Sequence, residues 1–145
     1  LLGEKYASGF MGISFFSDNR IRKLNQKYLK TNAPTDVIAF SYSPDNADIA
    51  ISLDTAKRNA RIFKSSLKKE ILLYIIHGIL HLTGYNDAAP KERKRMFEKQ
   101  EEIFTKLSCR QKPAPVSMKI SNHQFPITLP ACRRQGYWLF RAKIL

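Results

Sequence analysis

The run "ILLYIIHGILHL", Ile71 to Leu82, constrains this chain more than any other stretch. Two histidines aside, it is apolar on every side of a helix, so it must be buried in a domain or cross a membrane. Crossing takes about 20 apolar residues, and no apolar run here is that long. A buried helix remains, and the spacing predicts it from about Ser66 to Thr83. Gly84 is placed to end it in the left-handed region, which glycine enters without steric cost.

The rest of the chain supplies layers for that helix to pack against. "MGISFFSD", Met11 to Asp18, reads as a strand closed by turn residues. "SDNRIRKLNQKYLK" reads as a helix: Ser17 or Asp18 can cap it, and Ile21, Leu24, Asn25 and Tyr28 keep helical spacing. "DVIAFSYS" and "ADIAIS" read as strands, and "PDNA" between them suits a hairpin turn. Asp54 is expected to cap a helix through Phe63. Pro90 is a good first residue for a last helix that buries Met96, Ile103, Phe104 and Leu107. Early strands and later helices point to an α+β fold, a small mixed β-sheet packed with helices. That domain covers 1–108. Residues 109–145 carry four prolines and no acid, and are expected to form a basic, poorly ordered tail.

His77 and His81 lie four residues apart and so share one helix face. They are either core residues, each satisfied by a hydrogen bond, or two ligands of one metal ion. Burying two imidazoles costs free energy unless both are paired, which weakens the first reading. Gly84 lets the chain fold back, and Asp87 then becomes the natural third ligand. Asp87 could instead cap the Pro90 helix. Two imidazoles and one carboxylate make a catalytic type of site with open positions. The zinc proteases place a glutamate directly after the first histidine. Here that residue is Gly78, so a peptidase is not indicated. Non-haem iron oxygenases use a similar ligand set, but no cosubstrate site is suggested. Hydrolysis of a phosphodiester is the chemistry that remains. The third histidine, His123, lies in the tail and is read as unrelated.

The net charge of +13 favours a polyanionic partner. Residues 108–145 hold seven bases and no acid, which leaves 18 bases against 12 acids before them. Arg20, Lys23, Lys27 and Lys30 fall off the apolar stripe of their helix and are candidate contacts for such a partner, or simply a solvated face. Cys109 and Cys132 form no disulfide framework, no secretion signal opens the chain, and a cytoplasmic location is expected.

"HGILHLTGYND" resembles the signature of the YbeY family, bacterial metal-dependent endoribonucleases that mature ribosomal RNA. The family pattern His-Gly-x-Leu-His-Leu-x-Gly-Tyr-Asp-His is matched at His77, Gly78, Leu80, His81, Leu82, Gly84 and Tyr85. "LNQKYLKTNAPTDVIAFSYS" and "ADIAIS" are similar to two upstream family blocks, which include Asn25 and Asp36. The resemblance implies a single-strand-specific endoribonuclease in small-subunit ribosomal RNA 3′-end maturation and ribosome quality control. It implies one divalent ion, zinc, on His77, His81 and Asp87, with the small ribosomal subunit as partner and no membrane. The alternative is a non-enzymatic ribosome assembly factor that keeps the metal. Asp87 stands where the family has its third histidine, and Leu29 where it has an arginine after the tyrosine. Lys27 or Lys30 could partly replace that arginine. The family's leading strand and helix have no counterpart after Leu1, so an uncovered sheet edge and reduced stability are expected.

Overall fold

The run Asn46–Ser52 is the middle strand of the sheet, and its apolar face, Ala47, Ile49 and Ile51, seats the main core. The computed structural model describes residues 9–110, with no account of the side chains of residues 109–110. The elements are β1 (Phe10–Phe16), α1 (Asp18–Leu29), β2 (Val37–Ser41), β3 (Asn46–Ser52), α2 (Leu53–Ile62), α3 (Leu67–Leu82) and α4 (Pro90–Arg110). The sheet order is β1-β3-β2, with β1 parallel and β2 antiparallel to β3. The expected α+β fold with a small mixed sheet is therefore what forms.

Alternation along the strands separates two cores. Val37, Ala39, Ala47, Ile49 and Ile51 face α3 and pack with Leu73, Tyr74 and Leu82. Ile38, Phe40 and Ala50 face α1 and pack with Ile21, Leu24 and Leu29. A strand covered on both faces explains the unbroken apolar run "VIAF". The hairpin forms as expected, closed by the Tyr42 N–H on the Asn46 carbonyl at 3.0 Å. β1 is the edge strand beside β3, and Phe10, Ile13 and Phe15 are exposed on it.

Two helix starts differ from expectation. Ser52, not Asp54, caps α2, its hydroxyl accepting from Thr55 N–H at 3.1 Å. The Asp54 carboxylate instead accepts the Asp18 N–H at 3.0 Å, at the start of α1. The side chain of Ser17 makes no cap bond, and Asp18 reaches across to Ser52, Thr55 and Arg58. Each helix start thus engages the other's carboxylate, α1 through the Asp18 N–H and α2 through the Ser52 and Thr55 hydroxyls and Arg58. The expected tail and His123 lie outside the described residues, although the α4 backbone continues to Arg110.

α3 lies directly on β3 at Gly78. A Cβ there would sit 3.2 Å from Ile49 Cδ1 and 3.3 Å from its Cγ2. The position where a zinc protease carries its base therefore points into the sheet. Gly78→Glu is expected to cost about 3 kcal/mol or more, by overpacking and by burying a carboxylate. The urea midpoint measures this, and an unchanged midpoint would contradict the packing described.

Candidate metal centre

α3 carries His77 and His81 into the interior, where both are buried. Their rings stand nearly perpendicular, 86° apart, with centroids separated by 4.7 Å. Each Nδ1 meets an oxygen: Gln100 Oε1 at 2.9 Å for His77, and the Tyr85 carbonyl at 3.1 Å for His81. These oxygens accept hydrogen bonds, so the network assigns the proton to Nδ1 in both rings. The two Nε2 atoms then turn lone pairs toward one another across 3.2 Å.

A cation resolves that contact. Two imidazole nitrogens on one tetrahedral ion at about 2.0–2.1 Å each would lie about 3.3 Å apart. Protonating a ring would also resolve it, but burial opposes charge. Burial, then the neighbouring His81, push the His77 pKa down to about 3, against the pull of Gln100. His81 is lowered too, by burial, with Asp87 and the Tyr85 carbonyl acting the other way. The pair stays neutral at physiological pH, the form that ligates.

The return loop brings the third donor. Gly84 adopts φ +95°, and the Gly84 and Tyr85 N–H groups bond the His81 and Leu80 carbonyls at 2.9 and 3.0 Å. This is the Schellman geometry of a helix ended by glycine. It also delivers the Tyr85 carbonyl to His81. Asn86 Oδ1 accepts from the Asp87 and Ala88 N–H groups at 2.8 and 3.1 Å. Arg93 Nε donates to the Asp87 carbonyl at 2.9 Å. With its backbone held this way, Asp87 joins His77 and His81, and one ligand atom from each lies within 4.8 Å of the others. Among the described residues, this trio is the group of acids, histidines and cysteines able to hold a metal ion. The donor set fits a borderline divalent cation such as zinc.

Asp36 is buried nearby. Burial raises its pKa to about 6, the Asp87 charge adding to this and the Val37 N–H and Thr35 hydroxyl opposing. Asn25, the other residue from the upstream block, donates Nδ2–H to the Ala33 carbonyl at 2.7 Å and ties the loop before β2 to α1. Arg20, Lys23, Lys27 and Lys30 are exposed on α1, a helix packed on the sheet face opposite α3. The structure does not bring them to the histidines. Arg93 is closer to the site, and Arg95 lies over the Tyr85 ring at 5.7 Å. Leu29 packs in the α1 core with Ile21, Ile38, Phe40 and Ala50.

Gln100 and Arg93 were not singled out from sequence. Gln100 offered a signal, a polar residue on the apolar α4 stripe between Met96 and Phe104. Arg93 offered none, because it lies among five charged residues, Lys91 to Arg95.

The family model described as Endoribonuclease YbeY matches residues 3–108. The chain belongs to the YbeY family. The Endoribonuclease YbeY of Parabacteroides distasonis is 42% identical over 96 residues, covering 64% of this chain and 68% of that protein. The Endoribonuclease YbeY of Elusimicrobium minutum is 37% identical over 113 residues, covering 71% and 79%. The solution structure of TM1509 from Thermotoga maritima superposes with a TM-score of 0.52 at 28% identity, covering 81% of this chain and 83% of that one. As a YbeY-family chain, it holds the histidine pair on α3 and its partner carboxylate on the loop that follows.

Proposed function

We propose that this chain is a metal-dependent endoribonuclease acting on single-stranded ribosomal RNA precursors, at the 3′ end of the small-subunit RNA and in ribosome quality control. The observation that carries the reading is the pair of neutral imidazoles whose Nε2 atoms face one point 3.2 Å apart, with Asp87 beside them. His77, His81 and Asp87 would hold one divalent ion, zinc. Such an ion lowers the pKa of water to about 7 and offsets charge developing on a phosphoryl oxygen.

The protein's part is to prepare that site. Burial keeps the imidazoles neutral, and Gln100 and the Tyr85 carbonyl hold the Nδ1 protons so that Nε2 ligates. Asp36 keeps its carboxyl proton to about pH 6 beside Asp87. The exposed bases of α1, Arg20, Lys23, Lys27 and Lys30, are assigned to the RNA backbone. The small ribosomal subunit is the proposed partner and the cytoplasm the proposed location.

Leu29 favours a second reading, an assembly factor that keeps the metal without cleaving. Leu29 presents no cation, and its side chain is part of the α1 core. The test is cleavage of a labelled single-stranded precursor with and without a chelator. Chelator-sensitive cleavage by the wild type is expected. No cleavage by the wild type, with cleavage appearing in Leu29→Arg at unchanged RNA affinity, would favour the assembly factor.

A further inference from the structure

Above Phe40, part of the core beneath α1, stand two tyrosines, Tyr28 and Tyr42, that belong to neither core nor metal centre. Tyr42 is 67% exposed and Tyr28 42% exposed, while Phe40 beneath them is buried. The Phe40 and Tyr42 rings are parallel to within 5° with centroids 6.3 Å apart, and Tyr28 meets Phe40 edge-on at 5.4 Å. The Tyr42 hydroxyl donates to Asp48 at 3.1 Å, which fixes the ring while leaving much of its surface in solvent. Lys27 Nζ lies 4.8 Å from the Tyr28 centroid.

The charge on the α1 side of these rings is basic, while Asp48 stands at the Tyr42 hydroxyl. Arg20, Lys23 and Lys27 follow helical spacing and share one side of α1, and Lys30 follows at its C-cap, where its Nζ donates to the Lys27 carbonyl at 3.3 Å. Asp18, the one acid of α1, is engaged by Arg58 at 2.9 Å. Cations spaced along a backbone path and ending at exposed π faces are the combination by which proteins hold single-stranded nucleic acid. Asp48 accepts from the Tyr42 hydroxyl and stands opposite Phe40 across the hairpin, so it disfavours a phosphate beside Tyr42 more than an uncharged base.

We infer that Tyr28 and Tyr42 form a stacking shelf for unpaired bases of an RNA whose phosphates follow Arg20 to Lys30. The inference rests on the endoribonuclease reading for the identity of its ligand. The shelf lies past the end of β2 opposite Asp36, and β2 is five residues long, about 17 Å. It therefore holds nucleotides removed from the bond to be cut.

The test is fluorescence anisotropy of a labelled 20-nucleotide single-stranded RNA at low salt, with a chelator present so that no cleavage intervenes. Tyr42→Ala and Tyr28→Ala are each expected to weaken binding about tenfold, the loss of one stacked base. Tyr42→Phe keeps the ring, loses only the Asp48 bond, and is expected to bind within about twofold of wild type. Wild-type affinity in a folded Tyr42→Ala protein overturns the shelf, and is the result expected if this face docks a protein instead. Equal loss in Tyr42→Phe and Tyr42→Ala also overturns it, since the ring would then not matter. Tyrosine-dependent binding without any metal-dependent cleavage supports the shelf and removes the nuclease reading. Cleavage with tyrosine-independent binding does the reverse.

Discussion

Asp87→Ala is expected to leave purified protein largely free of metal, where the wild type carries about one divalent ion per chain. The argument is geometric. His77 and His81 alone offer two donors, whereas a catalytic site of this kind takes three protein ligands and keeps a position open. Outer partners of such ligands typically change affinity by about 10–100-fold when removed, and a direct ligand should exceed that. Cleavage should fall with the metal. Asp87→His keeps a donor at the same loop position, held by Asn86 and Arg93 through backbone atoms that the substitution does not touch. It is expected to retain metal. Elemental analysis of the three proteins after identical gel filtration decides the matter. Equal metal in wild type and Asp87→Ala would remove Asp87 from the site, whatever happens to activity.

The grouping of His77, His81 and Asp87 was legible because their placement is local. An i, i+4 pair on a predicted helix, a glycine stop and a carboxylate a few residues later need no knowledge of the rest of the chain. Gly84 is a clear instance, since its left-handed φ closes the helix and aims the Tyr85 carbonyl at His81. What was not legible depends on long-range contact. Gln100 reaches His77 across 23 residues of sequence. Asp54 looked like the cap of its own helix, but Ser52 stands where its hydroxyl reaches Thr55 N–H, and α1 brings Asp18 to Asp54. The parallel β1–β3 pairing follows from α1 and β2 being inserted between them, and no short pattern encodes that. Likewise the candidate RNA-contacting bases of the α1 segment carry no sequence sign that the sheet separates them from the histidines.

The same buried groups make the metal-free protein sensitive to acid. His77 has an ordinary pKa of 6.5 and a folded value of about 3. Between those values the unfolded chain binds more protons, so stability rises with pH and is lost as pH falls from about 6.5 toward 3. His81 is lowered as well and acts in the same direction. Asp36 opposes them. Its carboxyl moves from 3.8 to about 6 on folding. The folded state thus binds more protons between those values, and this contribution is lost as pH rises through 6. Down to pH 4.5 His77 gives up on the order of 3 kcal/mol and Asp36 returns on the order of 2, and His81 adds to the loss. Against a total stability of about 5–15 kcal/mol, the difference is large enough to see. Urea unfolding in chelator is therefore expected to give a lower midpoint at pH 4.5 than at pH 7. Asp36→Asn removes the opposing group while keeping an oxygen to accept from Val37 N–H, so its dependence on pH should be steeper. A midpoint that does not change between pH 7 and 4.5, or a shallower dependence in Asp36→Asn, would show that the imidazoles do not stay neutral as their burial requires.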